Sequence, residues 1–176
     1  EAKDGSRMRF HITNRLDGQV AENDQGVARI SKKGGGVTLT GKTKKQFPLP
    51  PDTVFPTEHT IEILAAATAG KSHFTRKVFQ GGDKSDLYDV AATIGMQSTP
   101  EHTAKERSID TAGLLKGVQA WPVLISYYAG DSSSPEYEVG SRLYANGIIG
   151  SMSLVYSRFT LRAKLVKLEP LAAACR

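Results

Sequence analysis

The last third of the chain alternates apolar and polar residues in segments that are separated by turn signals. In residues 121–128 the apolar side chains of Trp121, Val123 and Tyr127 recur at every second position, which is the period of a β-strand. A serine-rich turn follows at residues 131–135, and Asn146-Gly147 is typical of a type I′ hairpin turn. The segment predicts an antiparallel meander of four strands.

The first half carries the same period in shorter runs. Met8, Phe10 and Ile12 alternate with charged residues, and residues 27–30 form a second run. Residues 34–36 are three glycines and are predicted to reverse the chain into a strand over 37–40. Residues 72–80 and 87–96 are predicted to pair as strands around a Gly-Gly-Asp turn. Residues 97–117 lack a clear period and predict a long loop with one helical turn near 111–115.

One segment between these runs predicts a helix. The prolines of residues 48–56 exclude a central strand there and predict a connector. After them, Thr57 is the expected helix cap, Ile61 and Leu64 recur at helical spacing, and Gly70 ends the segment.

The pattern as a whole predicts an all-β, mostly antiparallel fold with one helix. Many consecutive strands without a βαβ rhythm favour a strongly curved sheet or spiral-like broken barrel, with a β-sandwich as the alternative. The 176 residues suit one domain spanning 1–176. The residues expected to line its core or an apolar cavity are Trp121, Tyr127, Tyr144, Ile61 and Leu64.

Charge and hydropathy say little about which partners the chain binds or which compartment it occupies. The net charge of +5 favours anionic partners weakly, because the lysines at 32–33 and 42–45 lie beside turn signals, where solvated charge is expected. No apolar stretch approaches the roughly 20 residues of a spanning helix, so the chain is predicted not to cross a membrane.

The sequence shows no pattern typical of a catalytic or metal centre. The four histidines lack metal-ligand spacing, and His59 is expected at the surface or half-buried. Residues 150–153 lack the glycine of a nucleophile elbow, and no Gly-Lys-Ser or Gly-Lys-Thr opens a helix. No enzyme activity, cofactor or nucleic-acid binding is predicted. The aromatic residues of the meander alternate with aliphatic ones, which favours a core over an RNA-reading surface.

Several short motifs recur in a fixed order: the segments 55–59, 78–83, 121–123 and 143–147, together with Phe159 and residues 165–168. With these motifs the sequence resembles the EipB-like family of cell-envelope integrity proteins. The resemblance spans about Arg7 to Cys175 and covers the later two-thirds of the family domain. It implies a periplasmic protein with a broken barrel or spiral of strands and a role in resisting envelope stress.

The resemblance also implies a disulfide between an early cysteine and one near the C-terminus. Cys175 matches the second, whereas the first has no counterpart, because Cys175 is the only cysteine here. The family's first strands are also missing, so the resemblance implies that the chain is a fragment whose upstream segment pairs through Cys175. An open sheet edge would then require that segment, a dimer partner or a second chain.

Three functional hypotheses follow. The first is a non-enzymatic periplasmic protein that supports envelope integrity by binding another envelope component. The second is a carrier of lipid or another apolar ligand inside a curved sheet. The third is a hydrolase that uses Glu101, His102 or Asp110 of the long loop, and it ranks last because convergent acid, base or nucleophilic groups are not visible.

Overall fold

The computed structural model describes residues 1–16, 19–40, 44–82, 84–100, 110, 113–156, 159–165 and 168. These residues form eleven β-strands, one α-helix and a 3₁₀ turn. The strands are β1 (Arg7–Leu16), β2 (Gln19–Ser31), β3 (Gly34–Leu39), β4 (Gln46–Leu49), β5 (Thr53–Val54), β6 (His73–Phe79), β7 (Leu87–Ile94), β8 (Ala120–Ala129), β9 (Tyr137–Tyr144), β10 (Ile149–Tyr156) and β11 (Phe159–Lys164). Helix α1 (Pro56–Thr68) lies between β5 and β6, and the 3₁₀ turn covers Lys84–Asp86.

The strands form two sheets in which spatial order follows chain order. One sheet has four strands in the order β1-β2-β3-β4, and the other has seven in the order β11-β10-β9-β8-β7-β6-β5. Every pairing is antiparallel except that of β5 with β6, which are parallel and joined through α1. Within the described residues no ladder joins the two sheets into a closed barrel. The prediction of a mostly antiparallel β fold with one helix is confirmed.

The two sheets meet around Phe79, at the end of β6. Its side chain is fully buried among core residues of the four-stranded sheet, including Met8, Val37 and Leu49. Phe10 and Phe47 each approach the Phe79 ring edge-on at 5.9 Å between centroids, a favourable aromatic geometry. Phe79 therefore lies on a strand of the seven-stranded sheet, but its side chain packs in the core of the four-stranded sheet.

Alternation along β7, β8 and β9 places one apolar face of the seven-stranded sheet toward α1. The helix packs Ile63, Ala66 and Ala67 against a cluster from these three strands. That cluster consists of Ala92, Ile94, Trp121, Val123 and Leu143. We call this side of the sheet the helix-bearing face, and the helix covers only one end of it.

Trp121, Tyr127 and Tyr144 are buried, and Leu64 is half-buried at the rim of the helix cluster. The prediction that Ile61 lines the core is wrong, because its side chain is 56% exposed. Ile63 faces the sheet, and a residue two positions away lies about 200° around a helix. The predicted helical spacing is confirmed, but the side of the helix that faces the sheet carries Ile63 and not Ile61.

The structure also corrects how the helix begins. Thr57 is not its cap: the N-cap position is held by Phe55, which makes no side-chain cap hydrogen bond, and Pro56 occupies the first turn. Proline suits that position because its fixed φ is helical and its missing N–H would be unbonded there.

Three predictions about β-hairpins and strands need similar correction. The residues 34–36 do not form the turn but are the first half of β3, and the chain reverses at residues 32–33. Pro48 lies within β4, which an edge strand tolerates. The loop between β9 and β10 covers residues 145–148, and Gly147 alone has positive φ (83°), so it is not a two-residue type I′ turn.

Other predictions stay untested. Cys175 lies outside the described residues, and a chain with one cysteine forms no internal disulfide, so the predicted disulfide is not supported. The single domain over residues 1–176 and its missing first strands remain predictions.

Candidate binding surface

Five aromatic side chains form a row across the helix-bearing face, one from each of five successive strands. We call Tyr88, Tyr127, Tyr137, Tyr156 and Phe159 the aromatic row. The strand registers create it, because Tyr137 pairs directly with Tyr127 on one side and with Tyr156 on the other. Tyr156 in turn pairs with Phe159. Directly opposite residues of antiparallel strands point to the same face, so the five rings meet.

The ring geometry changes along the row. Tyr88 meets Tyr127 and Tyr137 edge-on, at 5.7 and 5.5 Å between centroids. From there the rings stack: Tyr127 on Tyr137 at 4.4 Å, Tyr137 on Tyr156 at 5.1 Å, and Tyr156 on Phe159 at 5.0 Å. Each such contact adds about 0.5–1.5 kcal/mol beyond area burial. The row therefore stiffens the part of the sheet that α1 leaves uncovered.

The phenol groups of the row are held neutral. Burial raises the pKa of Tyr137, and the neighbouring Tyr127 and Tyr88 add to the increase. Burial also raises the pKa of Tyr127 and is the main cause of the raised pKa of Tyr156. The Tyr137 hydroxyl accepts a hydrogen bond from Gln80 Nε2. At neutral pH the row presents uncharged rings and no phenolate nucleophile.

Exposure rises steeply toward the last two strands. Tyr88, Tyr127 and Tyr137 are buried, whereas Phe159 is 51% exposed and its strand neighbour Leu161 is 60% exposed. Met152 of β10, on the same face by register, is 39% exposed. We call Met152, Phe159 and Leu161 the apolar margin. It continues the buried aromatic row to the surface.

A histidine of α1 is buried against the opposite end of this face. His59 is only 2% exposed, and its Nε2 has no hydrogen-bond partner among the described residues. Its ring lies 6.1 Å from that of Phe74. Burial, and then the positive charge of Arg76, lower the pKa of His59 to about 4. The expected surface or half-buried position is therefore wrong, and the side chain is neutral at pH 7.

An ion pair closes the helix side of the face. Arg76 Nε donates to Glu62 of α1 at 2.8 Å, and the guanidinium lies 5.1 Å from the centroid of the Phe74 ring. Both charged side chains are partly exposed, so the pair contributes modestly to stability. It fixes the helix across β6 without creating a reactive centre.

The candidates for hydrolysis do not form a site in the described residues. Glu101 and His102 lie outside those residues. Asp110 is buried, and its carboxylate accepts hydrogen bonds from the backbone N–H groups of Leu114 at 2.8 Å and Leu115 at 2.7 Å. It thereby holds the turn at residues 114–117. Within the described part of the chain, no three His, Cys, Asp or Glu side chains group as metal ligands.

The sequence pattern predicted the buried Trp121 and Tyr127 of the helix-bearing face and Tyr144 of the other face, but it did not indicate the apolar margin. Met152, Phe159 and Leu161 lie on strands with the expected period, yet period alone does not say which end of a sheet lacks a cover. The described part of the chain also contains no helix long and apolar enough to cross a bilayer.

Comparison with known proteins gives concordant results. The EipB-like family model matches residues 1–172. The cell envelope integrity protein EipB of Brucella abortus is 29% identical over an alignment of 175 residues that covers 96% of this chain. The chain spans 60% of the length of that curated relative.

A solved structure supports the fold. A crystal structure of a beta-barrel-like protein of a domain of unknown function, also from Brucella abortus, matches with a TM-score of 0.81 and 28% identity. The match covers 94% of this chain and 68% of that one. The prediction of a barrel-like arrangement that is not closed, and the resemblance inferred from short motifs, are both confirmed.

Proposed function

This chain belongs to the EipB-like family, and from that premise we propose that it is a non-enzymatic periplasmic protein that supports the cell envelope by binding another envelope component. The observation that carries the proposal is the apolar margin, where large side chains remain exposed on the face that elsewhere forms the core. The name of the curated relative, a cell envelope integrity protein, supports the envelope part of this proposal.

The margin has the composition of a protein-binding surface. Aromatic residues and methionine are enriched at protein interfaces, and buried aromatic anchors dominate their energetics. Because the Phe159 and Leu161 side chains are already about half buried, covering each would contribute roughly half of the ~1.5–3 kcal/mol that full burial of such a side chain contributes. Stacking against Tyr156 already orders Phe159 before binding, which reduces the entropy lost when a partner docks.

The position of β11 adds a second binding element. It is the last strand of its sheet, so within the described residues its outer edge carries backbone groups without a strand partner. A partner that adds a strand there would meet the apolar margin with alternate side chains. We propose an apolar protein segment as the occupant.

The test is a double variant with a matched control. Phe159→Ser with Leu161→Ser removes the margin, and Leu124→Ser with Val155→Ser removes two side chains of similar exposure, 43% and 44%, from the opposite face. Each is expressed in the source bacterium lacking its own copy, and survival is measured with detergent and with a cell-wall antibiotic. We expect the margin variant to lose protection and the control to retain it at equal protein levels. Equal protection by both would refute the proposal.

A second function is favoured by one specific observation. The row of neutral rings leads from the exposed margin into the core, so a lipid or another apolar ligand could lie along it. Native mass spectrometry and solvent extraction of protein purified from envelopes would reveal a bound species that the margin variant lacks. Protein free of lipid in every preparation would remove this alternative.

A further inference from the structure

The outward side of the four-stranded sheet is strongly basic. We call this side, which lies opposite the Phe79 cluster, the basic face. Its outward positions include Arg7, Arg9, His11, Gln25, Val27, Arg29, Gly36, Thr38, Gln46 and Pro48. Exposed lysines flank it at both ends, at residues 32–33 in the β2–β3 turn and at 44–45 before β4.

The arginines are placed where they repel one another. Arg7 and Arg29 are directly opposite in the β1–β2 ladder, and Arg9 is two residues farther on the same face. Like charges directly opposite in a sheet are destabilising. Within the described residues, the side chains of Arg9 and Arg29 form no hydrogen bond or ion pair. The sheet therefore maintains a charge cluster that its own described side chains do not neutralise.

One carboxylate lies near Arg7 but is engaged elsewhere. Asp4 accepts hydrogen bonds from the Ser6 hydroxyl at 2.7 Å and the Ser6 backbone N–H at 3.0 Å. Those bonds are the main cause of its lowered pKa, and Arg7 contributes least. Asp4 thus offsets little of the charge on this face.

The surface between the cations is an open depression with a mixed polar and apolar lining. It has a volume of about 470 Å³ and is lined by Val27, Arg29, Gly36, Val37, Thr38, Gln46, Phe47 and Pro48. Gly36 leaves space beside Arg29 because it has no side chain. Thr38 and Gln46 add neutral hydrogen-bond donors. The rings nearest the cations are those of His11, next to Arg9 on β1, and Phe47, which packs on Phe79 in the core. The described outward positions therefore carry no row of aromatic rings on which successive bases could stack.

We propose that the basic face docks the protein on the surface of an anionic phospholipid bilayer, with lipid phosphate groups against Arg7, Arg9 and Arg29. A sheet face with several spread cations matches an extended array of anions better than it matches one small ligand. Guanidinium groups suit phosphate because their fork of donors fits two oxygens at once. The inference does not depend on the proposed function, since it uses the other sheet and opposite chemistry.

The experiment is sedimentation with vesicles of phosphatidylglycerol in phosphatidylcholine, compared with vesicles of phosphatidylcholine alone. Each basic residue at an anionic surface strengthens binding roughly fivefold. The double variant Arg7→Gln with Arg29→Gln should therefore bind the anionic vesicles at least about tenfold more weakly. The control, Arg162→Gln with Lys164→Gln, removes the same charge from exposed positions of β11 and should change binding less than about threefold.

Added salt should abolish binding of the wild-type protein, because exposed charges are screened. The thermal unfolding midpoint of the arginine variant should be unchanged or higher, since the substitution relieves repulsion. A loss of binding therefore cannot be assigned to unfolding.

Several results would overturn the inference. The first is the absence of binding to anionic vesicles at low salt. The second is that the arginine variant and the control variant weaken binding to the same extent. The third is that the protein binds neutral and anionic vesicles equally, which would indicate that the apolar margin makes the contact. Two further measurements distinguish other anionic ligands. Saturable binding of inorganic phosphate without vesicle binding would refute a membrane contact and assign the face to a small anion. Binding of single-stranded RNA through the same arginines without vesicle binding would refute a membrane contact and assign the face to RNA.

Discussion

The two sheets differ in which of their faces carries the unusual surface. The seven-stranded sheet exposes Met152, Phe159 and Leu161 on the same face as its core, so its margin continues the core without a cover from the described residues. The four-stranded sheet displays Arg7 and Arg29 on the face opposite its core. An apolar surface continuous with a core calls for an apolar partner, whereas charge on an outer face can recruit a partner without altering the packing behind it.

The largest expected effect comes from the residue that connects the two sheets. Phe79→Ala removes a fully buried ring that packs on Phe10 and Phe47 and should lower the free energy of unfolding by about 3–5 kcal/mol. Phe159→Ala, at a half-exposed ring, is the control and should cost much less. Denaturant titration measures both. Similar losses would mean that the margin is packed as tightly as the core.

Acid should weaken the helix-bearing face specifically. The pKa of His59 is lowered to about 4 in the folded protein from a usual 6.5, so the unfolded chain binds more protons between these values. Stability contributed by neutral His59 is complete above pH ~6.5 and decreases as pH falls toward 4, by a total of about 3 kcal/mol.

Denaturant titrations at several pH values test this prediction. His59→Leu should flatten the decrease in stability below pH ~6.5. The exposed histidine His73 provides the control, because His73→Leu removes an imidazole that is not buried. An unaltered slope in the His59 variant would show that other groups cause the acid sensitivity.

A smaller effect tests whether stacking stiffens the aromatic row. Tyr137→Leu loses stacked contacts with Tyr127 and Tyr156 and the hydrogen bond from Gln80, and should cost about 2 kcal/mol. Tyr128→Leu, on the opposite face of β8, should cost less. Amide hydrogen exchange should also become faster in β10 and β11 of the Tyr137 variant. Unchanged exchange there would mean that the row does not support the margin.

The smallest effect has the opposite sign and concerns the basic face. Arg7→Gln removes a like-charge neighbour of Arg29 and should raise the free energy of unfolding by about 0.2–1 kcal/mol at low salt. The gain should shrink near 1 M salt, where the Debye length is about 3 Å. Arg162→Gln should leave stability nearly unchanged. Destabilisation by Arg7→Gln would show that the cluster is neutralised within the folded protein.

The strands were predictable because alternation is a local signal. Residues such as Val123 and Tyr127 recur with period two, and this pattern alone identified the four-strand meander. Turns were predicted less well, since three consecutive glycines suggest a reversal, whereas in β3 they lie in a strand between β2 and β4. Whether a glycine lies in a turn or in a strand depends on the strands that pair beside it.

The candidate site was harder to predict because it depends on what is not covered. Ile61 and Ile63 fit a helix equally well, and only the sheet beneath α1 determines which is buried. Similarly, Tyr137 and Phe159 occupy equivalent strand positions, but α1 and the flanking strands cover one end of the face. Whether the apolar margin is exposed depends on how the helix and strands are arranged, and the alternation of residues along a strand does not reveal that arrangement.

The agreement between spatial order and chain order has a consequence for how the protein reaches its fold. Each antiparallel strand pairs with its immediate predecessor, so most loops that must close are short and the contact order is low for a β protein. During synthesis or export, each new antiparallel strand can pair with the strand that precedes it in the chain. Assembly can therefore proceed as sequential zipping, with the parallel β5–α1–β6 unit as the one step that waits for a helix to form.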